Sequence, residues 1–332
     1  MNTFHKVYEK TRIWVLVLIA FLLPTLVTNN YILHVANLSL IFAILSLSLN
    51  LLTGCTGLFS VGHIAFYGIG AYTSAIVTTK LGLPIYVGFV AAGVVAGLCS
   101  LLLGLPTMRL RGLYLAVSTL AFGEIMYQIF VNWTAVTGGT GGIKGIPAPE
   151  IFGVELRSYG SYYYLILVVT ILCIVLCRNL IHSRTGRAMR SIRESEIAAE
   201  AMGVDTTKYK IVAFVTSSFM AGIAGALYAH EVHFISPETF VGAESAAILA
   251  MMVVGGIGSI PGAIAGGIVL TVIPEFLRSF GDIRLVLYGV AIVAMIIYAP
   301  KGVGGLIEWV DGVLAGKIKL GKNKNIRRKE TD

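Results

Sequence analysis

A chain of 332 residues that is 56% hydrophobic and only 13% charged cannot cover a soluble surface, because soluble domains carry about 25% charged residues. Its repeated apolar runs, each long enough for ~30 Å of hydrocarbon, make it an all-α polytopic membrane protein instead. The net charge of +8 does not point to nucleic acid, since the basic residues flank apolar spans and form no basic domain of their own.

In chain order the apolar runs predict about ten transmembrane helices: Arg12–Thr28, Tyr31–Thr53, His63–Lys80, Pro84–Leu105, Gly112–Val131, Tyr162–Cys177, Ile211–His230, Val241–Ile257, Gly262–Leu277 and Leu285–Ala299. The first run lacks a small-residue cleavage site and leads straight into the next span, so it reads as retained. The eighth to tenth are short and glycine-rich, as broken or half-spanning helices are. The whole chain, 1–332, forms one transmembrane domain with three notable appendages: a flexible, proline-punctuated loop at 132–161, a loop at 178–210, and a basic tail at 317–332. Alternate loops on one side hold 20 of the 25 Lys and Arg residues. Positive side chains resist translocation, so that side is cytoplasmic and both termini lie there. Lys144 and Arg157 then fall outside, and Arg187 and Lys324 inside. The tail meets anionic lipid headgroups or only fixes topology.

The four cysteines, Cys55, Cys99, Cys173 and Cys177, lie in apolar sequence and read as small packing residues; no metal site is predicted. His230, Glu231 and His233 read as a solvated cluster at the outer interface. Ser60, Gly62 and Ala65 echo Ser259, Gly262 and Ala265, as a duplicated half or as glycine-rich coincidence.

Three stretches carry functional candidates. "GLFSVGHIAFYGIGAY", Gly57 to Tyr72, puts glycine, serine and histidine inside apolar sequence. Gly57 and Gly62 interrupt helix, while Ala65, Gly68, Ala71 and Ala75 make a small-residue stripe that permits close helix contact. Non-helical backbone at membrane depth must be buried in protein or line a wet cavity. The stretch is thus either a helix break beside a translocation pathway, with His63 and Phe66 near it, or a tight turn before a packed helix. Glu124, Gln128 and Asn132 share one helix face; an intramembrane carboxylate is a pathway candidate or an interhelical hydrogen-bonding group facing a partner subunit. The loop "HSRTGRAMRSIRESEIAAEAMGVDTTKYK" predicts a helix over Ser191–Met202 stopped by Gly203, with Ile192, Ile197, Ala198, Ala201 and Met202 as its apolar residues. It either docks on a soluble partner or lies among headgroups, with Arg184, Arg187, Arg190 and Arg193 setting topology.

"IAAEAMG", Ile197 to Gly203, resembles the E-A-A-x-x-x-G core of the coupling loop in ABC importer permeases. Ala198, Ala199 and Gly203 match; Ile197 stands where the family's Glu stands, Glu196 is one position early, and the usual I-x-L-P tail is missing. The longer strings "SRTGRAMRSIRESEIAAEAMGV", "GLFSVGHIAFYGIGAY", "LAFGEIMYQIFVNWTAVTGGTGGIKGIP" and "GGIGSIPGAIAGG" are similar, in the family's order, to branched-chain amino acid permeases of the LivM type. The resemblance implies ABC importer permease architecture and one subunit of a binding-protein-dependent importer in a bacterial cytoplasmic (inner) membrane. Its partners would be a LivH-type permease, two ATPase subunits, an extracytoplasmic amino-acid-binding protein and membrane lipid. Its coupling loop would comprise Arg187, Arg193, Glu196, Ile197, Ala198, Ala199, Glu200 and Gly203. The chain itself holds no G-x-x-x-x-G-K-[ST] loop, so no cofactor is expected in it, and ATP and Mg would sit on the partner chains. A carrier of urea or short amides on this architecture is the alternative, and a stand-alone secondary transporter using Glu124 as an ion site is the alternative of another class. No catalytic constellation is visible.

Overall fold

The computed structural model describes residues 20–27, 29–107, 110, 112–151, 154–156, 158–298 and 302–305. Most of the predicted first span lies outside the described residues, although 20–26 are helical. Arg109, Arg111, Arg157, Lys301, Lys324 and the 317–332 tail are also outside them. The remaining predicted spans appear as α1 (Asn30–Thr56), α2 (His63–Thr79), α3 (Ile85–Thr107), α4 (Leu113–Asn132), α5 (Tyr159–His182), α8 (Thr206–Val232), α9 (Gly242–Gly255), α10 (Ile260–Phe276) and α11 (Arg284–Tyr298). Between α5 and α8 run two short helices, α6 (Arg184–Glu194) and α7 (Glu196–Ala201). Among the described residues six helices are long and apolar enough to cross a membrane, and α9 and most of α11 form shorter apolar ones. The chain is a polytopic all-α membrane protein.

Local chemistry sets the helix ends. The Asn29 side chain accepts from Tyr31 N, and Gly57 closes α1 in the left-handed conformation at φ 74°. Ser158 caps α5 and Asp205 caps α8 in the same way. The core is α1, α2 and α8. From Ala43 to Thr56 α1 is buried on every side, including Ser46, Ser48, Asn50 and Thr53. The α2–α8 crossing is backbone to backbone. A Cβ on Gly70 would overlap the Gly222 carbonyl oxygen, and one on Gly225 would overlap that of Tyr67. Small residues are the means by which helices without a hydrophobic drive between them gain contact in lipid.

Successive spans run up and down, which gives the bundle two faces. One, the loop face, gathers α6, α7, the α1–α2 connection and the α9–α10 turn. The distal face carries the 132–161 connection. That connection is folded, contrary to the flexible loop the sequence suggests. Its strand β1 (Ile143–Lys144) pairs antiparallel with Phe234–Ile235 just after α8, and Ile143 and Ile146 are buried. The Lys80 ammonium donates to the carbonyls of Ala135 and Val136, each at 2.8 Å, so the end of α2 holds the same segment.

Candidate functional site

On the loop face the chain leaves α5, turns at Ser183 and forms α6. Arg190 Nη2 donates back to Ile181 O at 3.0 Å and Arg187 Nη1 to His182 O at 3.4 Å, so the arginines meet the negative end of α5. The single helix predicted over Ser191–Met202 is broken at Ser195. That residue is extended (φ −160°, ψ 110°), and its hydroxyl accepts from Ala198 N, so a serine able to cap restarts the helix as α7. Gly203, at φ 81°, follows its end. Two sides result. Met189, Ile192 and Ala199 are buried against the bundle, whereas Ile197 is 70% and Met202 84% exposed, with Arg187, Ala198 and Glu200 also exposed.

Two charged contacts fix this loop to the spans. Lys210, 2% exposed in the first turns of α8, donates to Glu196 Oε1 at 2.5 Å. Arg193 Nη1 donates to Gly54 O near the end of α1, also at 2.5 Å. Beside that point the Asn50 side chain accepts from Gly258 N at 2.7 Å and donates to Ser259 O at 3.1 Å, which ties α1 to the α9–α10 turn.

The Gly57–Tyr72 stretch is enclosed by protein from Gly62 onward, while Gly57 and Phe59 are exposed. Its non-helical backbone finds partners there: Thr53 Oγ1 donates to Leu58 O, Val61 N donates to Thr119 Oγ1 at 2.9 Å, and Ile64 N to Ser245 Oγ at 3.3 Å. A Cβ on Gly62 would overlap the Thr119 carbonyl, so Gly62 is what lets α2 start against α4. His63 is buried, with Nε2 at 2.7 Å from Ser48 Oγ. Phe66, fully buried, stacks on Phe122 of α4 and meets Phe214 edge-on.

Glu124 and Gln128 occupy the other side of α4. Only Leu115, Thr119, Gly123 and Phe130 of that helix are buried. The opposite face, with Leu113, Tyr114, Val117, Leu120 and Ile125, is open. Within it Gln128 Nε2 donates to Glu124 Oε1 at 3.2 Å, and Asn132 Nδ2 donates to Gln128 O at 2.8 Å. The polar row predicted from the spacing exists as a hydrogen-bonded ladder. A shallow pocket of about 460 Å³ lies over it, lined by Ala121, Glu124, Ile125, Gln128 and Ile129. The structure therefore places His63 and Phe66 behind α4 and Glu124 and Gln128 in front of it, and it does not bring the two groups together.

Comparison with known proteins adds a family. The pattern described as branched-chain amino acid transport system / permease component matches residues 31–299. The chain belongs to this permease family. LivM, the high-affinity branched-chain amino acid transport system permease protein of Salmonella typhimurium, is 37% identical over 319 residues, 89% of this chain and 75% of its own. LivM of Escherichia coli is 36% identical over the same shares. LivH of Escherichia coli is more distant, at 25% over 291 residues, 80% of this chain and 92% of its own. No solved structure matches. The family is one of transport permeases and not of enzymes.

In this permease His230 and Glu231 are buried, not solvated as the sequence suggests, whereas His233 is exposed. Glu231, 2% exposed, meets His34 Nδ1 at 2.7 Å and accepts from Asn37 Nδ2 at 3.0 Å. His230 bridges Ser74 Oγ and Pro147 O, each at 2.9 Å, and His233 Nδ1 lies 3.0 Å from Ile146 O. The 132–161 connection covers His230 through Pro147, and α1 covers Glu231 through His34 and Asn37, which is why these two groups are buried while His233 stays exposed. Sequence reading also passed over Lys210, Asn50, Thr119 and Ser245. Lys210 counted there only toward topology, because the predicted span opens at Ile211; in the fold α8 starts at Thr206 and puts Lys210 one turn inside it.

Proposed function

We propose that this permease is one half of the membrane domain of an ATP-driven, binding-protein-dependent importer of branched-chain amino acids. In this reading it lies in a bacterial cytoplasmic membrane with the loop face inward. A LivH-type permease completes the membrane domain, two ATPase subunits supply the energy, and an extracytoplasmic protein delivers the amino acid. The observation that carries the reading is the two-sided inside loop. Its inner side is tied to α1 and α8, while Ile197 and Met202, large and apolar, stand out into solvent at 70% and 84% exposure. Exposed apolar anchors on a fixed short helix are what a soluble partner's groove needs.

The pathway, in the same reading, runs over the open face of α4. Glu124 and Gln128 meet the zwitterionic cargo or the water around it, and Ile125 and Ile129 give an apolar wall. An intramembrane carboxylate on an open face calls for a wet cavity or a partner. Gly57, Gly62, His63 and Phe66 back this wall from behind and set its position.

The test is reconstitution with the four partner chains in proteoliposomes. Leucine uptake that needs both ATP and the binding protein is the expected result, with urea excluded. Uptake of urea instead would overturn the substrate. Leucine accumulation driven by a proton gradient without the ATPases would overturn the importer. For orientation, a cysteine at Lys144 should react with an impermeant reagent added outside sealed right-side-out vesicles, and one at Arg187 should not.

A further inference from the structure

The inner side of the loop raises a question that docking does not answer. A patch that only had to be displayed would need no buried charge. Yet Lys210 is enclosed to 2% exposure, and its ammonium meets Glu196 at 2.5 Å. Lys210 is enclosed and Glu196 only partly open, so separating them strips a buried ammonium of its acceptor, and the contact resists separation more than a fully exposed one. Consequently α7 cannot slide on the start of α8 without a large cost.

What α8 touches gives that link a destination. Gly222 and Gly225 of α8 meet α2 at Gly70 and Tyr67, and Gly222 also meets Ala92 of α3, all with backbone in contact. Packing this close leaves little room for sliding between α8, α2 and α3. The N-terminus of α2 rests on α4 through Gly62 and Thr119, directly behind the Glu124–Gln128 row. A second tether starts at Arg193. Its Gly54 acceptor lies against Gly258, since a Cβ on Gly54 would come 2.8 Å from Gly258 N and Cα. Gly256 (φ 111°) and Gly258 (φ 87°) give that α9–α10 turn conformations that other residues rarely adopt.

We propose that Lys210 is a positioning residue for transport: through Glu196 it transmits displacement of the inside loop to α8 and, by way of α2, to the pathway face of α4, with Arg193 as a weaker second tether to α1 and the α9–α10 turn. This rests on the importer reading above. It divides the loop by role. Ile197 and Met202 receive the partner, and Lys210 and Arg193 pass its movement on.

The experiment uses the complete five-chain system in proteoliposomes and reads leucine moved per ATP hydrolysed, beside complex yield and ATP hydrolysis. In Lys210→Gln the remaining Glu196 is partly open to water, so the chain should assemble. Leucine per ATP is expected to fall about tenfold, the scale of a charge-assisted hydrogen bond, while hydrolysis stays within about twofold of the parent. Arg193→Ala, at a part-buried contact with a neutral carbonyl, should lower the ratio by only about threefold. The charge swap Lys210→Glu with Glu196→Lys should restore at least about half of it. An unchanged ratio in Lys210→Gln, or yield, hydrolysis and transport falling together, would show that the pair only holds the fold and would overturn the proposal. The parent complex is scored first: if it shows no ATP-driven uptake, the importer reading itself fails, and that result is distinct from any variant's.

Discussion

The glycine-rich stretch from Gly57 to Tyr72 and the polar face of α4 look alike in sequence, since each puts polar or soft residues into an apolar span. In the fold they are opposites. His63 is buried with a serine partner, and Gly62 and Gly70 put backbone against α4 and α8. Glu124 and Gln128 are exposed and bonded mainly to each other along their own helix. Softness in a membrane sequence thus marks close packing, while a ladder of polar side chains on an open face marks a surface awaiting water, cargo or another subunit.

The comparison can be broken at its strongest point first. Gly222→Leu forces a side chain into the backbone of α3, which should destabilise the chain by about 3 kcal/mol or more and abolish a monodisperse detergent-solubilised sample. Gly62→Leu should leave the protein inserted but push α2 off Thr119, reducing leucine uptake to below about a tenth. Gly203→Pro cannot adopt the native φ of 81°, so the turn after α7 must change; uptake per ATP should fall about tenfold with insertion intact. Normal coupling in that variant would sink the docking role of the loop. Glu124→Gln lies on an open face, so yield and thermal midpoint should not move, while uptake drops about three- to tenfold. Leu58→Ile conserves volume at a buried site and should change uptake by less than about twofold.

Much of the architecture was legible because hydrocarbon thickness and helical rise fix span length. The predicted Tyr31–Thr53 and Pro84–Leu105 differ from α1 and α3 only at their ends. The i, i+4, i+8 spacing likewise revealed the α4 row. What escaped was set by tertiary contact. Nothing local distinguishes Ser195, which breaks a helix, from Ser191, which sits inside one. Nor does sequence say that His230 lies under a folded connection and Glu231 against α1, because their partners Pro147, His34 and Asn37 are more than 80 positions away. Gly70, Gly222 and Gly225 were three among 38 glycines, and only the crossing of α2 and α8 singles them out.

The claim that the open face of α4 lines a gated path is tested most directly by thiol accessibility in the assembled complex. Gln128→Cys and Phe66→Cys, each in a background without native cysteines, would be treated with a small water-soluble reagent in nucleotide-free and nucleotide-trapped states. The account predicts that the Gln128 position reacts in one state and is protected in the other, while the Phe66 position stays silent in both. Equal reactivity at position 128 in the two states, or reaction at position 66 alone, would contradict it.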